Sequence, residues 1–366
     1  MPECLFAICH NVFFAAILIV LVQRTGLTRQ GETNMMALKT TASALALGLA
    51  ASILIAPASA QDAIVIGTGS TGGAYYPIGV GMARIVSGAD PSLRVDAVSS
   101  GGSTENVQLI ARGEIEFGIT NGVVATLAAR GEDVFEGDAR TGLRALFALY
   151  GNTEHHVALA DAVTTGTVDD LASLPGLYNI GGRQSGARTA ANLMLQALGH
   201  DPDAIAMEFI GSYSEAGAAL QDRRISAANL GAGIPVPAIT ELFAALGADR
   251  VRILSFTPDQ LARIDAAHPG LYYGVTIPAD SYPGQTEAVA TAEYANLMVV
   301  EADMDADAVY RFTRAVFENL DAIHAIHPSA AGIRLETALS GLPVPLHEGA
   351  ARYFEEAGLT IPEALR

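Results

Sequence analysis

Cysteine is nearly absent: the chain has two, Cys4 and Cys9, and nothing after them can build a disulfide framework or a cysteine metal site. Lysine is scarcer still, Lys39 being the only one. Of 21 basic and 39 acidic residues, three and two fall in the first 60, so from Gln61 onward 18 arginines face 37 acids, a balance near −19. Such a charge argues against nucleic acid or an anionic membrane surface as partner. If the chain binds an anion, it must do so with local groups. Long apolar runs are missing too, since no stretch after Gln61 approaches the roughly 18 residues a membrane span requires, and a soluble mature protein is expected. Neither G-x-S-x-G nor H-E-x-x-H occurs, so nothing points to a serine hydrolase elbow or a zincin helix.

The first 60 residues read as a leader. Residues 35–60 carry a weakly basic start at Lys39, an apolar run from Ala44 to Ile55, and Ala58-Ser59-Ala60 before Gln61. That is the pattern of a secretory signal peptide cleaved after Ala60, which predicts a periplasmic protein. The apolar stretch Cys4 to Val22 is interrupted by His10 and Asn11 and is followed by this second export signal. Residues 1–34 are therefore read as a start placed too early, with Met35 or Met36 as the true one, the rival being a genuine N-terminal anchor.

About 306 residues remain, enough for two domains with substantial cores. From Ala63 short β-branched runs alternate with amphipathic stretches and glycine-rich joints, the signature of parallel sheets covered by helices. Strands are expected at 63–66, 93–98, 117–120 and 143–149, then at 156–159, 178–180, 206–210, 227–230 and 251–254. Helices are expected at 190–198, after Pro235 and Pro237, and over 306–326 as one long element ending before Pro328. The fold class is α/β, with residues 62–149 and 256–366 as lobe I, residues 150–255 as an inserted lobe II, and hinges near Tyr150-Gly151 and Ser255.

Glycine-rich loops follow several strands and lead into helices, whose first-turn amides suit a carboxylate or phosphate. They are 67–73, 99–106 with Ser103 as a plausible N-cap and Glu105 in the first turn, 120–122, 181–189 and 231–233. All lie at carboxyl ends of strands, where open α/β sheets bind ligands. The bland reading is that the glycines only allow tight turns. The residues assigned to the ligand are Thr71, Gly72, Gly73, Tyr75, Ser100, Gly102, Ser103 and Asn121 from one lobe, and Ser185, Gly186, Arg188 and Gly231 from the other. Arg188 either clamps a carboxylate or makes an ion pair within its lobe. Of Tyr75, Tyr76 and Tyr213, one is expected to wall the cleft.

Gly67, Gly69 and Gly72 also fit G-x-G-x-x-G, which raises a dinucleotide-dependent oxidoreductase as the rival class. Against it, the next strand ends Val98-Ser99-Ser100 with Asp96 inside it, and Gly73 and Tyr75-Tyr76-Pro77 replace the small residues of a dinucleotide helix. Export also removes the cofactor supply. His155 and His156 point to opposite faces of a strand and cannot share a metal, and His324 and His327 lack a third ligand. No cofactor, metal or catalytic residue is expected, and a monomer is.

In these stretches the sequence resembles the TAXI family, the solute receptors of one branch of the tripartite ATP-independent periplasmic (TRAP) transporters. The matching segments are 66–77, 98–106 with Gly113-Glu114, Ser185-Gly186-Ala187-Arg188, Pro237-Ala238-Ile239 with Glu241-Leu242, Ile277-Pro278 with 282–285, and 341–347 with Gly349-Ala350. The resemblance implies a type II periplasmic-binding-protein fold that closes around one small anionic solute and delivers it to a permease driven by an ion gradient. The solutes it implies are glutamate, glutamine or related dicarboxylates such as 2-oxoglutarate. Asn121-Gly122-Val123 stands where members often read Gln-Ser-Asp, and Ala187 replaces a threonine, so hydrogen-bonding groups are lost from two loops and the resemblance does not fix the ligand. A ligand-sensing partner of a membrane signalling protein is the third reading.

Overall fold

A computed structural model of the chain describes residues 62–201 and 204–366, and the leader readings fall outside the described residues. The described chain opens with β1 (Asp62–Gly67), α1 (Tyr75–Ala89), β2 (Leu93–Val98), α2 (Ser103–Ala111), β3 (Phe117–Asn121), α3 (Gly122–Arg130) and β4 (Leu143–Thr153). After two residues it continues as β5 (His156–Leu159), β6 (Tyr178–Asn179), α4 (Gly186–Ala197), β7 (Met207–Glu208), α5 (Tyr213–Gln221), β8 (Ala227–Asn229), α6 (Pro237–Leu246) and β9 (Val251–Ile253). The last part holds α7 (Pro258–Ala267), β10 (Tyr273–Ile277), β11 (Val289–Glu301), α8 (Ala306–Phe317), α9 (Leu320–His324) and α10 (Glu348–Glu356).

Two sheets give two α/β lobes. The first runs β10-β11-β3-β1-β2 with β4 on β11, and the second runs β7-β6-β8-β5-β9. β1 is parallel to β2 and β3, as crossover helices demand, whereas β11 runs antiparallel to β3, β4 and β10. β1 buries Ile64 and Ile66, and β3 is buried along its whole length. Beneath β3 and β4, Phe312 of α8 meets Phe117 edge-on at 4.7 Å and stacks on Phe147 at 6.5 Å, anchoring the first lobe's core. α7 packs on α4 while β10 pairs with β11, so the segment between Phe256 and Val289 touches both lobes.

Three expectations are corrected. The strand expected to end at Leu149 runs on to Thr153, because backbone pairing with β11 does not require apolar side chains. The long terminal helix is two: Asn319 leaves helical dihedrals at φ −123° and ψ 31°, and its side-chain amide donates to the Ala315 carbonyl at 2.8 Å. Ser103 is the first residue of α2, not its cap; Gly102 precedes it at φ 109° and offers no side chain.

Candidate functional site

The loops that follow β1, β2, β6 and β8 converge on one cavity of about 50 Å³ between the lobes. By this measure a single water needs on the order of 10–15 Å³. The space suits a metabolite of a few carbons and falls far short of a dinucleotide.

Helix starts shape its walls. α1 begins at Tyr75 without a side-chain cap or a first-turn acid. α4 is capped by Ser185, whose Oγ accepts from the Arg188 amide at 3.1 Å, and its first turn also lacks an acid. α2 has Glu105, but its carboxylate is turned back onto the Gly101 amide. First-turn amides carry no intrahelical acceptor, and those of Ser103, Gly186 and Ala187 have no other protein acceptor among the described residues. Every residue lining the cavity is uncharged.

Of the residues assigned from sequence, Gly73, Tyr75, Gly102, Ser103, Ser185, Gly186 and Gly231 line the cavity. Asn121 lies just behind: its Oδ1 caps α3 through the Val124 amide at 2.8 Å, and its Nδ2 sits against Gly186, buried and without a partner. Ser100 knits its own loop, bonding Asn106 at 2.7 Å and accepting from Gly102. Thr71 is exposed. Gly72 serves the approach of the lobes, since a Cβ there would lie 2.6 Å from Ser214 Oγ and 2.7 Å from its backbone nitrogen. Arg188 is directed away, donating to the Arg183 carbonyl at 3.0 Å beside the Phe209 ring. Both Tyr75 and Tyr213 line the cavity and Tyr76 does not, where one of the three was expected.

Contacts across the cleft are polar and close. The Tyr213 amide donates to Ser70 Oγ at 2.9 Å, the Glu105 amide to the Gln184 carbonyl at 3.3 Å and the Ala238 amide to the Gly72 carbonyl at 3.3 Å. Gly186 is the tightest point: a Cβ there would stand 2.5 Å from both Asn121 Nδ2 and Ser103 Cβ.

Sequence reasoning passed over the floor. Asn152 near the end of β4 lines the cavity at 3% exposure, and its Oδ1 has no partner. Tyr75 donates to Asn296 Oδ1 of β11, whose Nδ2 is also buried and unpartnered. Unpaired buried polar atoms are rare in native folds, and their grouping here marks a place for ligand or water. Beyond Asn152 lies Glu154, wholly buried; desolvation pushes its carboxyl up to about 8. Tyr294 donates to its Oε1 at 2.7 Å and His156 Nε2 stands 3.5 Å from Oε2. Burial holds the imidazoles of His155 and His156 down to about 4 and about 3. The two rings diverge, His155 toward Tyr282 and His156 toward Tyr178, each at 2.8 Å. The available signal was the polar run 152–156 between apolar Leu149 and Val157 in a buried strand pair.

The model of the NMT1-like family matches residues 66–358. The chain belongs to that family. Among solved structures it is similar to MatC from Rhodopseudomonas palustris with bound malate, at 12% identity and TM-score 0.51, over 80% of this chain and 98% of that one. It is also similar to the ligand-binding component of an ABC-type import system from Staphylococcus aureus, at 14% identity and TM-score 0.44, over 83% and 94%. The GluR0 ligand-binding core from Nostoc punctiforme with L-glutamate matches at 11% identity and TM-score 0.43, over 72% and 96%. The family and the MatC likeness agree with a periplasmic-binding-protein fold of type II.

Proposed function

We propose that this family member is an exported solute-binding receptor that closes its two lobes on a small carboxylate metabolite and presents it to an ion-gradient-driven TRAP permease. The observation that carries the reading is the uncharged cavity at the starts of α1, α2 and α4, whose first-turn amides and helix dipoles favour an anion without a basic side chain. A cavity shared by two lobes is what capture and release require, since a ligand shifts closure by its differential affinity for the closed state. The lobes would turn about the β4–β5 crossing, a few residues past the expected Tyr150-Gly151 because β4 stays paired with β11 to Thr153, and about Ser255, with residues 62–153 and 256–366 on one side and 156–255 on the other. MatC, whose solved structure holds bound malate, supports the ligand class by analogy. Against an oxidoreductase stand the size of the cavity and the use of Gly72 in lobe contact.

The test is a thermal-unfolding screen of protein stripped of ligand, against dicarboxylates, 2-oxo acids, amino acids and nucleotide cofactors. A ligand at about 100 times its Kd adds roughly 2.7 kcal/mol, enough to raise the midpoint by several degrees. A shift with a carboxylate is expected. Shifts with cofactors alone would overturn the proposal.

A further inference from the structure

Glu154 does not touch the cavity, yet three of the cavity's parts rest on it. Its carboxyl lies 3.2 to 3.4 Å from where a Cβ of Gly231 would stand, so the wall at Gly231 leans directly on the acid. Gly231 in turn accepts the Tyr213 hydroxyl at 2.7 Å, which fixes a second lining residue. Asn229, which stands beside the carboxyl, receives the Gly231 amide at 3.1 Å on its Oδ1 and donates from Nδ2 to the Ala187 carbonyl at 3.1 Å, holding the first turn of α4. The residue sits where the chain passes from β4 of one sheet to β5 of the other.

The groups facing Glu154 are Tyr294 of β11, His156 of β5, Tyr178 of β6, Tyr213 of α5 and Tyr272 before β10. None is a permanent cation, and His156 is kept neutral by its burial. A protonated carboxyl can donate to His156 while accepting from Tyr294. An ionised one would be a buried charge with no cation beside it, at a cost of several kcal/mol. It would also stand behind Gly231 on the far side of the wall from a bound anion.

We infer that Glu154 is a positioning residue that supports the Gly231, Tyr213 and α4 walls only while it holds its proton, so that capture of an anion is coupled to protonation of this carboxyl. The inference rests on the anionic-ligand reading, but its structural half stands apart from it. Above the carboxyl's titration point the competent fraction falls tenfold per pH unit, and apparent affinity falls with it.

The experiment has a ligand-free arm and a ligand arm, both on the purified protein. In the first, pH-difference infrared spectra follow the protonated carboxyl band, and hydrogen exchange, corrected for base catalysis, follows segments 211–214 and 227–233. A carboxyl band at pH 7 that disappears above about pH 8 together with at least tenfold loss of protection is expected, whereas Glu154→Gln shows neither change. In the second, malate is the anionic probe: its Kd should rise about tenfold per pH unit above 8 in the native protein and stay level in Glu154→Gln. A native protein whose exchange and affinity stay as level as those of Glu154→Gln overturns the inference. Failure of malate and other carboxylates to bind at pH 6.5, with the ligand-free arm behaving as expected, overturns the anionic reading and the coupling to capture, and leaves the positioning role.

Discussion

Gly186→Ala should block closure while leaving both lobes folded. In this structure the added methyl would lie 2.5 Å from Asn121 Nδ2 and 2.5 Å from Ser103 Cβ, both on the facing lobe. Ordinary contact begins near 3.4 Å, so the lobes must part by about 1 Å at this point. Gly186 opens α4 without a positive φ, so alanine fits the backbone and adds up to about 1 kcal/mol of helix propensity. The open form therefore keeps or gains stability. Overpacking the closed form costs about 1–3 kcal/mol, which is roughly a 5- to 150-fold loss of affinity. Calorimetric titration with the carboxylate returned by the screen, beside a ligand-free melting curve, measures both. Gly88→Ala in α1, with open space around the new methyl, is the control and should leave affinity unchanged. Native affinity in Gly186→Ala would refute the claim that Gly186, Ser103 and Asn121 meet when ligand binds.

Asn152→Ala should weaken ligand binding by about 1–3 kcal/mol with little loss of melting temperature, because its side-chain oxygen has no partner within the protein. Tyr75→Phe should reduce stability by about 1–3 kcal/mol in a denaturant titration, since it strips Asn296 Oδ1 of its buried donor. Stability should peak near pH 6.5. Above pH 6.5 and up to about 8 the unfolded Glu154 has lost its proton while the buried one keeps it, so stability falls. As pH drops below 6.5 the unfolded state protonates His155 and His156 while the folded state holds them neutral, so stability falls on that side too. Melting curves across pH 4–9 test both limbs, and Glu154→Gln should flatten the alkaline one. Phe312→Ala should cost about 3–5 kcal/mol, the range for a buried aromatic, read from the same titration.

By itself the sequence determined the local alternation of the lobes. β2 and β5 begin and end where expected, β2 because its residues alternate buried and exposed as in a strand with one face on the core, and β5 because it is buried throughout and reads as a short apolar run. The glycine loops at 67–73, 99–106 and 181–189 were legible as helix approaches, since only chain without side chains lets backbones come this close. The polar end of β4 was not legible, because Asn152 faces a cavity built by other segments and Glu154 is held by Tyr294 of β11, 140 residues away in sequence. β11 escaped notice for a related reason: its 13 residues serve β3, β10 and β4 in turn, so its side chains follow no single alternation. Tertiary structure alone decided that Arg188 turns toward Arg183 while Ser103, Asn121 and Gly186 meet, and that Glu154 stands behind the cavity. Those placements follow from how two separately patterned lobes pack, and packing between distant segments leaves no periodic trace in either.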